Sequence, residues 1–178
     1  MDGIEYPMEM DGIKSSMVRS TLYEIVAHDK DGNELWRESV PNLVTTVGLN
    51  DSLDKHFKGS SYTAAWYVGI TDGSPTFAAG DTMSSHAGWT EVAAYDEANR
   101  QTLTLGSVSA GSVDNSASKA VFTISTNSTV IGGAFLVTNN TKSGTTGTLY
   151  GGAAFTANRT LNDNDTLTVT VTLTAANA

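Results

Sequence analysis

The chain has 178 residues, with 19 acids against 10 bases and a formal net charge of −9. It contains no cysteine, which excludes disulfides and thiolate metal sites, and its scattered Lys and Arg lack the clustering that phosphate binding needs, which argues against DNA or RNA as a partner. A chain of this length makes one domain that buries roughly two thirds of its unfolded surface, and no stretch approaches the roughly 20 apolar residues of a membrane span.

The N-terminus, MDGIEYPMEMDGIKSS, carries acids where a signal peptide carries bases and has no continuous apolar run, so neither classical export nor membrane insertion is expected. Four of the five methionines (Met1, Met8, Met10, Met17) fall in the first 17 residues beside Ile4, Tyr6, Pro7 and Ile13, following neither a helical nor a strand period. Residues 1–20 read as an extended arm. Methionine is flexible and polarizable and fits irregular apolar grooves, which makes Tyr6, Met8, Met10, Ile13 and Met17 the partner-binding candidates.

Thr21 to Val40 reads as a hairpin turning at Asp29 to Asn33, where Asp31-Gly32 is a strong turn signal. A calcium loop starting at Asp29 fails, because its sixth position is Glu34 rather than glycine and its twelfth is Val40 rather than glutamate. After Pro41 the spacing predicts a helix over Thr46 to Lys58, with Leu49, Leu53 and Phe57 on its buried face, the charged residues on its wet side, and Gly59 as its stop. Ala64 to Ile70 reads as a buried strand that places Trp66 in the core. A long loop follows, and a further strand is expected from Trp89 to Tyr95, with Trp89 as the exposed aromatic.

Beyond Arg100 the chain reads as strands separated by Ser, Gly, Asn and Thr clusters: Thr102 to Val108, Lys119 to Ser125, Val130 to Thr138, Thr148 to Thr156 and Asp165 to Ala175. The last alternates strictly, with Leu167, Val169, Val171 and Leu173 on one face and threonines on the other. The paired glycines at 132–133 and 151–152 mark bulges or close backbone approach. The expected fold is mainly β: an antiparallel β-sandwich, jelly-roll or immunoglobulin-like, with one short α-helix, an N-terminal arm and a single β-rich domain over residues 21–178.

Catalytic constellations are weak. Asp81, Ser84, Ser85 and His86 include the residue types of a hydrolase triad, but within six consecutive residues and without nucleophile-elbow spacing, so turn and capping chemistry explains them. His28, His56 and His86 stand too far apart in sequence for zinc-ligand spacing. Glu91, Asp96 and Glu97 near Trp89 and Tyr95 are candidates for paired-carboxylate chemistry, and they read as turn residues. Asn162 to Asp165 reads as a turn rather than a calcium site. No cofactor, metal or enzymatic activity is expected.

Residues 22–100 resemble a group of small virion-associated proteins of tailed bacteriophages. The resemblance rests on the DKDGN turn with Trp36, the NLVTTVGLNDSLDKHFKGS helix segment, the AAWYVGITDG strand and turn, and AGDTMSSHAGWTE. It implies a non-enzymatic structural part of the particle, found in the virion and assembled in the bacterial cytoplasm. The expected role is capsid decoration, in which arm and hairpin grip the major capsid protein or neighbouring virion subunits and the protein forms a symmetric oligomer such as a trimer. A neck, collar or tail component is the alternative. A host-surface glycan-binding module is another, with Trp66, Tyr67, Trp89 or Tyr150 as stacking platforms.

Overall fold

The computed structural model describes residues 17–62 and 65–177. In chain order the elements are β1 (Met17–His28), β2 (Glu34–Pro41), β3 (Leu43–Val44), α1 (Thr46–Phe57), β4 (Tyr67–Thr71), β5 (Gln101–Thr102), β6 (Ser112–Asp114), β7 (Ala120–Thr123), β8 (Thr129–Val137), β9 (Leu149–Leu161) and β10 (Thr166–Asn177). They form two five-stranded antiparallel sheets. One runs β2-β1-β10-β6 with β7 also on β10, and the other runs β3-β9-β8-β4-β5. The protein is a mainly β sandwich with one short helix, as its strand-and-turn rhythm predicts.

The hairpin forms where the Asp-Gly signal places it. Asp29 Oδ1 accepts from the backbone N–H of Asp31 and Asn33, at 2.9 and 2.8 Å, and Gly32 takes φ +85°, a conformation that costs glycine no Cβ clash. The Asn33 side-chain amide, which donates to Asp29 Oδ2 at 2.9 Å, and then those backbone hydrogen bonds hold the Asp29 carboxyl below its ordinary pKa. β1 then pairs along its whole length with β10, from Met17 opposite Asn177 to His28 opposite Thr166. Residues 17–20, expected in the arm, thus belong to a strand, and the rest of the expected arm, residues 1–16, lies outside the described residues.

Alternation in β10 works as its pattern demands. Leu167, Val169 and Val171 are fully buried against Tyr23, Ile25, Ala27 and Phe122, while the threonine face is half-exposed apart from Thr170. β6 and β7 both pair with β10 and leave a gap between them, which a side chain fills. Buried Asn115 accepts from Val171 N at 2.6 Å and donates to the Val169 carbonyl at 3.3 Å, so the ladder continues without a strand residue.

The second sheet is covered on both faces. β8 is buried almost continuously, with Ile131, Ala134 and Leu136 in the main core and Phe135 and Val137 in a second cluster with Met83, Trp89 and Leu149. The glycine pairs behave as expected: β8 shifts register between Ile131 and Gly133, and Gly152 leaves room for the Phe77 ring, into which any Cβ would run.

Three expected elements differ. Residues 89–95 make only isolated bridges, Glu91 to Thr71 and Tyr95 to Ile124, because this segment crosses from one sheet to the other instead of running beside either. Of residues 102–108, only Thr102 is strand, as the end of β5. The helix lies where predicted but faces the opposite way. Leu49, Leu53 and Phe57 are 43%, 51% and 69% exposed, and Gly48 is its buried residue.

The reason for that rotation is local to the helix start. Thr45 caps α1 by accepting from Gly48 N at 3.1 Å and also donates to the Leu149 carbonyl at 2.5 Å, while its own N–H reaches Tyr150 O at 2.9 Å. A Cβ on Gly48 would lie 2.5 Å from Tyr150 O, so glycine alone lets the first turn sit on β9. With Gly48 inward, Ser52 and Lys55 follow on the same side, and Leu49, Leu53 and Phe57 fall about 100° to 180° round the helix.

Candidate interaction site

Where the two sheets splay at one end of the sandwich, their inner faces line an open apolar groove of about 630 Å³. Trp66, Leu103, Leu136 and Tyr150 come from or beside the β4–β8–β9 sheet, and Val113 and Leu173 come from β6 and β10. The groove continues the main core, because Leu103 and Leu136 are buried within it and Trp66, Tyr150 and Leu173 pack against it. α1 forms one wall through Asp51, Ser52, Lys55 and His56, and Leu105 and Val108 form another. Arg19, two residues into β1, stands at the mouth opposite Ala175 in register.

The groove brings together two of the aromatics considered from sequence. Trp66 and Tyr150 meet edge to face at 5.6 Å, both half-buried. Burial pushes the Tyr150 hydroxyl above its ordinary pKa despite the opposing pull of the Arg19 guanidinium, and Tyr23 beneath is pushed well up by burial and by Tyr150. Both therefore stay neutral and polar at physiological pH. Tyr67 belongs elsewhere, against the Met83–Trp89 cluster.

Expectation is inverted for the two tryptophans. Trp66, expected in the core, opens onto the groove. Trp89, expected to be exposed, is only 5% exposed, enclosed by Phe77 at 5.3 Å, Phe135 at 4.9 Å and the stacked His86 ring at 3.7 Å. Its indole N–H donates to Asp81 Oδ2 at 3.1 Å. Asp81 also accepts from Ala78 N at 3.0 Å, and His86 Nδ1 lies 3.0 Å from the Trp89 carbonyl. The Asp81–His86 cluster thus anchors a loop.

The carboxylates near Trp89 are likewise committed. Glu91 and Arg100 form a bidentate pair at 2.8 and 2.6 Å, with both side chains almost wholly buried. Arg100 also donates to the carbonyls of Asn139 and Gly144 at 2.8 and 2.9 Å, and Glu91 accepts from Ser143 N at 2.8 Å. This network pins the segment before β5 to the β8–β9 connection. Glu97 accepts from the Thr123 N–H and hydroxyl, so it holds the same segment to the other sheet. Asp96 is exposed, and Asp165 closes its turn by accepting from Asn162 N at 2.7 Å.

His28, His56 and His86 lie on β1, on α1 and in the 72–100 loop respectively, and no group of three or more metal-ligating side chains occurs among the described residues. Among those residues no helix is long and apolar enough to cross a membrane. Of the arm candidates, Tyr6, Met8, Met10 and Ile13 lie outside the described residues, and Met17 opens β1.

What the sequence reading missed is the exposed stripe on α1 and the groove beside it. One signal was present: glycine at the third helical position, after a threonine cap, marks the face that must sit closest to a neighbour. No protein-family model matches the sequence, and no curated protein matches it significantly.

Proposed function

We propose that this protein is a non-enzymatic structural component of a tailed-bacteriophage particle, a head decoration protein that binds the capsid lattice through the end of the sandwich carrying α1. The observation that supports an assembly role most directly is the outward turn of Leu49, Leu53 and Phe57. Three large apolar side chains at helical spacing face solvent beside an apolar groove, and contiguous exposed apolar surface of this kind marks a binding face.

The fold also divides the expected grip. β1 spans 12 residues, so its start and the hairpin turn stand roughly 35 Å apart. The start of β1 and the tip of the hairpin therefore lie at opposite ends of the domain. The helix and the start of β1 line the same groove, which supports taking that end as the capsid-facing one, with the hairpin outward beside the threonine-rich sandwich. Neighbouring copies around a symmetric capsid position would then form the oligomer.

Immunogold labelling of intact virions with an antibody against residues 101–178 tests the reading. Label spread over the head is the expected result; label confined to one vertex or to the tail would make the protein a neck, collar or tail component instead. A Leu53→Ser/Phe57→Ser variant is expected to fold normally and to lose binding to particles.

A second reading draws on Trp66 and Tyr150, which are half-buried at the groove mouth and offer ring surface to a host-surface glycan. Binding of purified host polysaccharide that disappears in Trp66→Ala would favour it over decoration.

A further inference from the structure

The groove is an unfilled extension of the hydrophobic core, and the chain that leads into β1 starts at its rim. Arg19 and Ala175, which face each other in the β1–β10 ladder, both line the opening. Sixteen residues precede Met17. Fully extended they span about 50 Å, more than enough to turn back into a groove that begins beside Arg19.

Over a short stretch those residues carry a strand-like pattern. The first 17 follow no single period, but Ile4, Tyr6, Met8 and Met10 alternate with Glu5, Pro7, Glu9 and Asp11, which gives an extended segment one apolar edge. Proline at a polar position is compatible with an edge segment. Asp11-Gly12 follows, the same dipeptide that turns the chain at Asp31-Gly32, and it would reverse the chain between residues 13–16 and the alternating stretch.

Charge agrees as well. Residues 1–16 hold four acids (Asp2, Glu5, Glu9, Asp11) and one base, Lys14. The groove wall presents Arg19, Lys55 and His56 against one acid, Asp51. Methionines suit a groove of irregular outline lined by Trp66, Tyr150 and Leu173.

We infer that the groove is the seat of the chain's own residues 4–10, which insert their Ile4, Tyr6, Met8 and Met10 side chains between the splayed sheets and complete the core at that end. Its own segment is favoured over that of a second copy because a short tether holds it at high effective concentration. The inference concerns the isolated protein and does not rest on the virion reading: head labelling can fail while the seat exists, and the reverse.

The absence of native cysteine makes the test direct. Met8→Cys and Val108→Cys are introduced together in the full-length chain; Val108, at the groove rim, is 75% exposed and tolerates the change. Mild oxidation of dilute protein is expected to give a monomeric, intramolecularly linked species on non-reducing gels, and a Met8→Cys/Lys30→Cys control at the distant hairpin is expected not to link. Disulfide-linked dimers would overturn the inference in favour of exchange between copies, and absence of any link would overturn it outright. As an independent readout, a chain starting at Met17 is expected to bind an apolar fluorescent dye severalfold more strongly than the full chain, and to lose the excess when a synthetic peptide of residues 1–16 is added. Equal dye binding by the two chains would show that residues 1–16 do not cover the groove.

Discussion

The α1 helix and the 72–100 loop invert the usual relation between regularity and burial. α1 is a capped helix of twelve residues, yet its three largest apolar side chains face water. The loop has no strand or helix longer than a bridge, yet it contributes Met83, Trp89, Val92 and Tyr95 to the interior and spans both sheets. The loop's backbone groups find partners within the loop, where Asp72 N bonds Thr90 O, and in each sheet, where Val92 N bonds Ile70 O and Asp96 N bonds Thr123 O. Lys142, from the β8–β9 connection, adds a side-chain partner by donating to the Tyr95 carbonyl at 2.5 Å, and it lies 3.8 Å from the Tyr95 ring centroid. Regular backbone satisfies its own hydrogen bonds and can afford an exposed face, whereas irregular backbone can be buried only where neighbours supply every partner.

That contrast sets the order of expected effects. Trp89→Ala empties the centre of the aromatic cluster and is expected to cost about 3–5 kcal/mol in denaturant unfolding. A small loss would mean that the loop is a cover and not part of the core. Arg100→Met leaves Glu91 buried without its cation, with a loss of about 3–5 kcal/mol, and the double variant Arg100→Met/Glu91→Leu is expected to recover most of it. Failure of the double variant to recover would place the contribution in the carbonyls of Asn139 and Gly144 that Arg100 holds.

Gly48→Ala sharpens the helix side of the comparison. Alanine in a helix is ordinarily better than glycine by about 1 kcal/mol. Here the added Cβ meets the Tyr150 backbone, so the net change is expected to be a loss of about 1–3 kcal/mol. A gain would show that the first turn of α1 does not depend on close seating. The smallest effect belongs to Leu53→Ala and Phe57→Ala, each expected within about 0.5 kcal/mol of the parent in thermal unfolding of the isolated chain. The amphipathic spacing alone would have made both substitutions severe. A cost of several kcal/mol would mean that something in the isolated protein covers the stripe.

Legibility differs between the fold and the site for a physical reason. The hairpin turn, the helix limits, the Gly59 stop at φ +70° and the alternation of β10 are settled by residues within a few positions of one another, and each was readable. The Asp81–His86 cluster was readable as turn chemistry for the same reason, though not the tryptophan that it secures. The direction of α1 was not readable, because Thr45 and Gly48 meet Tyr150, about a hundred residues later. Asn115 acting as a piece of ladder depends on the gap between β6 and β7 over β10, which exists only in the assembled sheet.

The sequence by itself determined the class of fold, the hairpin turn, the limits of the helix, the alternation of β10 and the lack of thiol chemistry, since backbone propensity, turn geometry and period are local properties. Tertiary structure decided the cover of those apolar side chains whose neighbours lie far along the chain. Burial depends on what arrives from the far side of the domain, so Trp89 gained a roof, Trp66 gained an opening, and Leu49, Leu53 and Phe57 were left facing solvent.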